Sequence, residues 1–264
     1  MQNKIVVAII TMMLFIAALY AVYAVVPLGP GTFTNSTTEK QSEAAYPAGV
    51  HGAYAGNITK IDIYGITQTK HWQGYYGDIT GTIVLDDASN YTLYDWPNPE
   101  PKGEIYATPN ASTPRWPNMA CFDFVAGAGG GLGNVTQWEN FFNMTYNDVD
   151  GLDETFNMTR HEAIDIGDVV TILNSTCPST FMHQNDTFQE TRFSEVLLED
   201  DQGRIVFTTI IENKDNSNNT DIQGFKGSPF TPDFQMIVAE DGTSRTGGQI
   251  NRVFTPYYFY IDLE

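Results

Sequence analysis

The sequence predicts a mainly β protein, with an N-terminal transmembrane helix followed by an antiparallel β-sandwich that contains one short helix. Three observations predict it. Ile5 to Val26 is a 22-residue run without a charged side chain; as a helix rising about 1.5 Å per residue it would cross a hydrocarbon core of ~30 Å. Beyond it, apolar residues recur at strand period in at least eight short runs, separated by Asp/Asn/Gly/Pro clusters. Strands in succession, without helices alternating between them, favour sheet-on-sheet packing.

The N-terminal run defines three regions: a signal anchor at 1–26, a stalk linker at 27–47 and an extracytoplasmic β-sandwich domain at 48–264. Lys4 and the α-amino group are the only positive charges before the run, and the next is Lys40. That bias places the N-terminus inside the cell and the domain outside, as a single-pass protein of the cell membrane. Val22-Tyr23-Ala24 also fits a signal-peptide cleavage site, which would release a chain beginning at Val25. Pro27, Gly29, Pro30 and Gly31 stop the helix, and the Gly/Ser/Thr-rich stretch to Pro47 carries little periodicity, as a stalk would.

Within the domain, Ile61, Ile63 and Tyr64 lead into Trp72, Tyr75 and Tyr76. Ile79–Leu85 and Tyr91–Trp96 alternate about the turn cluster Asp86–Asn90, which predicts a hairpin. Pro97 to Pro117 holds six prolines in 21 residues and predicts an irregular surface loop. Cys121–Val125 is a short strand running into the glycine-rich stretch Ala126–Gly133. Thr136 and Glu139 have capping-box spacing, and Trp138, Phe141 and Phe142 fall on one face of a short helix. Val169–Leu173 is a strand. Val196–Leu198, the turn Glu199–Gly203 and Ile205–Ile211 form a second hairpin with the same order of apolar strand, paired acids, polar turn and apolar strand. Phe234–Val238 and Tyr257–Leu263 are the last strands.

The formal charge is −19, from 32 acidic against 13 basic residues. So acidic a surface, without a Lys/Arg cluster, repels phosphate backbones and excludes a nucleic-acid partner. Ten Asn-x-Ser/Thr sequons stand at Asn35, Asn57, Asn90, Asn110, Asn134, Asn143, Asn157, Asn174, Asn185 and Asn218, more than half of the 19 asparagines. Each glycosylated site must lie on the surface of a translocated chain. The two cysteines, Cys121 and Cys177, are expected to form a disulfide, as an even pair does in an exported protein.

No catalytic constellation is legible, so the chain is not expected to be an enzyme. The glycines at 127–133 lack the Lys-Ser/Thr ending of a phosphate loop. His51, His71, His161 and His183 have no metal spacing, and the pairs Asp86-Asp87 and Asp200-Asp201 sit in turns. Calcium is the one cofactor left open, with Asp148, Asp150 and Asp153 around Gly151 as candidate ligands. The loop is not an EF-hand, because Tyr146 and Asn157 occupy the places that need carboxylates. Trp72, Tyr75, Tyr76, Trp96 and Trp116 are the residues a sugar-stacking platform would use.

The stretch Trp72-Gln-Gly-Tyr-Tyr-Gly-Asp-Ile-Thr-Gly81, with Ile83–Asp86 and Tyr94–Trp96, resembles a group of archaeal envelope glycoproteins with no established activity. Asn174–Thr180, Asp233–Ile237 and the Tyr-Tyr-Phe-Tyr ending are similar to later parts of that group. The N-terminal run also resembles, more weakly, that of archaeal type IV pilins, cut near Lys4. These resemblances imply a cell-surface location and add no catalytic residue. The expectation is a membrane-anchored, N-glycosylated surface protein with a structural or adhesive role, whose partners are the membrane and other copies or envelope proteins. The alternatives are a subunit of an extracellular filament, pilin-like or strand-exchanging, and a carbohydrate-binding module.

Overall fold

A computed structural model describes residues 25–34, 38–39, 49–98, 101–125, 135–145, 148–215, 217–241 and 255–263. The expected transmembrane run lies outside them up to residue 24, as does the glycine-rich stretch 126–134. Among the described residues no helix is long and apolar enough to cross a membrane.

The chain is mainly β. In order the strands are β1 (Trp72–Gly77), β2 (Gly81–Asp86), β3 (Thr92–Asn98), β4 (Gly103–Thr108), β5 (Ala120–Cys121), β6 (Ile164–Ile166), β7 (Val170–Ile172), β8 (Ser179–Phe181), β9 (Ser194–Glu199), β10 (Ile205–Ile210), β11 (Phe234–Ala239) and β12 (Tyr258–Leu263). Two short helices, α1 (Val135–Phe141) and α2 (Leu152–Thr155), and a 3₁₀ turn at Trp116–Asn118 complete the described elements.

A six-stranded antiparallel sheet runs β12-β4-β10-β9, and β5 and β8 share the outer edge of β9. Its side chains alternate between two cores, as strand geometry requires. Ile105, Ala107, Leu197, Ile205 and Phe207 point into one core, where Met236 and Val238 of β11, Trp138 of α1 with Phe142 just after it, and Leu152 of α2 meet them. Tyr106, Val196, Leu198, Val206 and Ile210 point the other way, onto Trp116, Met119, Cys177 and the β6–β7 ribbon. The central sheet is thus covered on one face by the β1–β11 ladder with the helices, and on the other by a small ribbon.

Both predicted hairpins form, as β2–β3 and β9–β10, and the helix predicted around Trp138 is α1. Thr136 lies inside α1 rather than at its cap, so the expected capping box is not the starting signal. The main correction concerns Pro97–Pro117. It contains β4, which is buried at all six residues and sits between β10 and β12. Pro101 and Pro109 bracket the strand without entering it, and a proline disrupts a ladder only where it stands.

The expected stalk is also not free where it is described. Leu28 exchanges both backbone hydrogen bonds with Ile261 of β12, at 3.1 and 2.8 Å, and the Phe33 ring meets Phe259 at 5.2 Å. The carbonyl of Val25 accepts the Asp168 N–H at 2.9 Å. The fold therefore engages the chain from Val25 onward.

Candidate functional site

The disulfide forms between Cys121 and Cys177, with their α-carbons 4.8 Å apart. It ties β5 to the loop after β7, beneath the second core. His161, which the sequence did not single out, organises that loop. Its Nε2 accepts the Thr176 and Cys177 N–H groups at 3.0 and 2.9 Å, and its Nδ1 lies 2.6 Å from the Glu162 carbonyl. Burial lowers the imidazole pKa, which favours the neutral ring that can both accept and donate.

Of the ten sequon asparagines, Asn35 and Asn134 lie outside the described residues. Asn57, Asn90, Asn143, Asn157, Asn174, Asn185 and Asn218 are exposed and Asn110 is half-buried. Six of these eight have positive φ or lie next to such a residue: Asn90, Asn143 and Asn185 are themselves left-handed, Gly56 precedes Asn57, and Ser175 and Asn219 follow Asn174 and Asn218. Such residues sit at turns, where the side chain projects from the body.

The aromatic residues that a sugar platform would use, read from the sequence more readily as core, do not come together. Trp116 is buried between Tyr106 and Tyr260. Trp72 packs edge-on to Phe207, and its Nε1–H donates to the Asp150 carbonyl at 2.7 Å. Tyr75 meets Phe259, while Trp96 is exposed on β3 beside Tyr94. Tyr76 instead joins a cluster absent from the sequence reading, with Phe225 and Phe230 at 5.5 and 5.0 Å. Lys226 stands over all three rings, its Nζ 5.3 to 5.5 Å from their centroids. Cation–π attraction holds it there, and Glu39 reaches it at 3.6 Å from the N-terminal segment. Lys226 is raised in pKa, first by the Tyr76 hydroxyl and then by Glu39. This cluster lines an open groove of about 1340 Å³ that is bordered by Pro30, Phe33, Thr38 and Glu39 and by strands β1, β11 and β12. The aromatic cluster thus holds a cation of the chain itself.

The acidic loop behaves differently from its sequence reading. Asp148 accepts the Thr145 N–H at 2.6 Å, and Asp150 accepts the Thr69 hydroxyl at 2.5 Å, so each is engaged in a bond of its own. Asp153 alone of the three expected ligands turns inward, toward Glu139 of α1 and Glu154 of α2. Glu139 is 2% exposed. Its carboxyl is pushed up to about 7, first by burial and then by the charge of Asp153. Glu154 stands in the acidic turn the sequence pointed to, but Glu139 escaped the sequence reading as a ligand. Glu139 had the spacing of a helix cap, and nothing local joins it to residues 153 and 154.

No family model matches this chain, and neither a curated protein nor a solved structure is significantly similar to it.

Proposed function

We propose that this chain is an exported, N-glycosylated protein of an archaeal cell surface, held to the membrane by its N-terminal apolar run and serving a structural or adhesive role. The observation that carries the reading is the position of the sequons. Ten are written into a chain with 19 asparagines, and none of the eight described ones falls in either core. A glycan is bulky and strongly solvated, so a single core sequon would have been incompatible with full decoration. In two sequons the asparagine Oδ1 is already turned to the sequon's own hydroxyl residue: Asn110 accepts the Ser112 N–H at 2.9 Å, and Asn218 accepts the Thr220 N–H at 3.1 Å. The amide nitrogen, the atom that would carry the sugar, takes no part in those turns. The disulfide adds support, since such bonds persist in oxidising compartments.

The test is peptide mass mapping of the native protein from an envelope fraction. Glycan masses at the exposed sequons and an N-terminal peptide beginning at Met1 are expected. Unmodified asparagine at all ten sequons would overturn the reading, and a start at Ile5 would replace the anchor with pilin processing.

A second reading, assembly with further copies of the same chain, draws on one specific feature. Every residue from Thr82 to Pro97 is exposed, including Ile83, Val84, Leu85, Leu93, Tyr94 and Trp96. Isolated two-stranded ribbons are marginal in water, and apolar ones with open edges invite pairing. Residues 57–66 supply a complement on the same chain: Ile58, Ile61, Ile63 and Ile66 are exposed in an extended segment that no strand of the described residues pairs. Exchange of β12 is not favoured, because β12 is laddered along its whole length to β4. In this reading light scattering gives a mass above 29.3 kDa, and Leu85→Asp with Leu93→Asp returns it to that value. A wild-type monomer at high concentration would end it.

A further inference from the structure

The α1–α2 corner gathers oxygen and, among the described residues, no ion-paired Lys or Arg. One carboxylate oxygen from each of Glu139, Asp153 and Glu154 lies within 4.8 Å of the others. Glu139 Oε1 and Glu154 Oε2 are buried without a hydrogen-bond partner. No described Lys or Arg forms an ion pair with any of the three. Three carboxyl groups so placed, two with bare inward oxygens, are costly to keep in a dry corner unless a positive charge compensates them.

Gly151 shows where the oxygens aim. A β-carbon built on it would stand 2.5 Å from Glu154 Oε2, 2.9 Å from Glu139 Oε1 and 3.1 Å from the Asp148 carbonyl oxygen. Its φ of −68° is one that any residue adopts. Glycine is therefore needed here for room, and the room is what three oxygens converge on. Glu139, a side chain almost wholly buried, points a free oxygen into that same space.

We propose that this corner binds one calcium ion through the carboxylates of Glu139, Asp153 and Glu154 and the carbonyl of Asp148, with water completing the shell. All the donors are hard oxygens, and their irregular placement suits the larger, geometrically tolerant cation better than magnesium, which demands an octahedron at about 2.0–2.1 Å. The residues differ from the loop ligands the sequence suggested, because the site is built across two helices. The same loop holds the start of β1, through Thr69 on the Asp150 carboxylate and Trp72 on the Asp150 carbonyl. A bound ion would thus fasten the corner against the strand that covers the first core. The inference rests on this geometry alone and is independent of export or glycosylation.

The test uses the full chain, stripped with a chelator, in thermal unfolding and calorimetric titrations with calcium chloride and magnesium chloride. The expected result is about one calcium per chain, bound with a Kd at or below about 1 mM, the range of extracellular modules, and a rise in Tm that magnesium at equal concentration does not give. Glu139→Gln should weaken binding by about ten-fold or more while retaining the wild-type far-ultraviolet spectrum. Gly151→Ala should do the same by filling the space. As a control for general screening of a −19 chain, Asp87→Asn should leave the response intact. Absence of calcium binding to the wild-type chain at 10 mM overturns the site. So does an equal response to magnesium, or a response that Glu139→Gln leaves unchanged.

Discussion

The hairpins β2–β3 and β9–β10 are near copies in local chemistry and opposites in environment. In each, an aspartate leads the turn. Asp87 Oδ1 accepts the N–H groups of Ser89 and Tyr91 at 2.8 and 2.9 Å; Asp200 Oδ1 accepts those of Gln202 and Arg204 at 2.9 and 3.1 Å. The N–H three residues on donates to the aspartate carbonyl in both, from Asn90 and from Gly203. That residue is left-handed in both, with φ of 63° and 68°, the arrangement of a type I turn followed by an αL residue. Yet β9 and β10 are buried at every position, while the whole of 82–97 is exposed. A turn and an alternating pattern are enough to make a hairpin. Only neighbours make it a core.

The largest effect expected from this contrast comes from the core ring. Phe207 of β10 is fully buried and meets Trp72, Phe142, Phe156 and Tyr257. Phe207→Ala should destabilise the chain by about 3–5 kcal/mol in denaturant unfolding. Leu93→Ala, on a residue 81% exposed, should stay within about 0.5 kcal/mol. Equal losses would mean that β2–β3 is buried in solution, as the assembly reading requires.

The turn aspartates come next. Asp200 is fully buried, and its Oδ2 takes the Arg204 guanidinium at 2.6 Å and the Arg115 N–H at 2.9 Å. Burial alone would raise its pKa, but the Arg204 side chain and the backbone donors outweigh it and hold the carboxyl below its ordinary value. Asp200→Ala strands Arg204 and should cost about 3 kcal/mol. Asp87→Ala loses the same two turn bonds at an exposed site and should cost about 1 kcal/mol or less. A matching cost at the two sites would show that the turn, not the buried charge, carries the effect.

The smallest difference is one of pH. The buried hairpin brings acids with it: Glu195 of β9 is raised well above the ordinary carboxylate range by burial. Glu212, just after β10, is pushed up to about 7 by burial, against the opposing Phe193 N–H and Arg192. A raised folded pKa means that the folded chain holds protons the unfolded chain releases. For Glu212 that stability is full below about pH 4.5 and is lost as pH rises through about 7. The unfolding free energy should therefore fall between pH 5 and 8, with a contribution on the order of 2–3 kcal/mol from Glu212. In Glu212→Gln that slope should flatten; an unchanged slope would assign it to other groups.

Legibility follows range. The β2–β3 and β9–β10 hairpins, α1, β7, β11 and β12 announce themselves through alternation and turn residues within a few positions. β4 does not: Pro101 and Pro109 on either side make Gly103–Thr108 look like loop, although it is the middle of the sheet. β6 and β8 span three residues each and, unlike β7 within Val169–Leu173, sit in no longer apolar run. At the acidic corner Asp153 was visible in a carboxylate-rich turn, whereas Glu139 lies 14 positions earlier on another helix.

By itself the sequence determined the β class, the two matching turns, the cysteine pair and the ten Asn-x-Ser/Thr sequons. Each depends on residue identity or on contacts within about four positions. The tertiary structure alone decided that one hairpin is core and the other is bare, that the segment after Val25 lies on β12, and that Lys226 stands over an aromatic cluster. It also decided that the carboxyl groups of Glu139, Asp153 and Glu154 meet. Burial and convergence are set by groups remote in sequence, and no local pattern encodes which of them arrive at the same place.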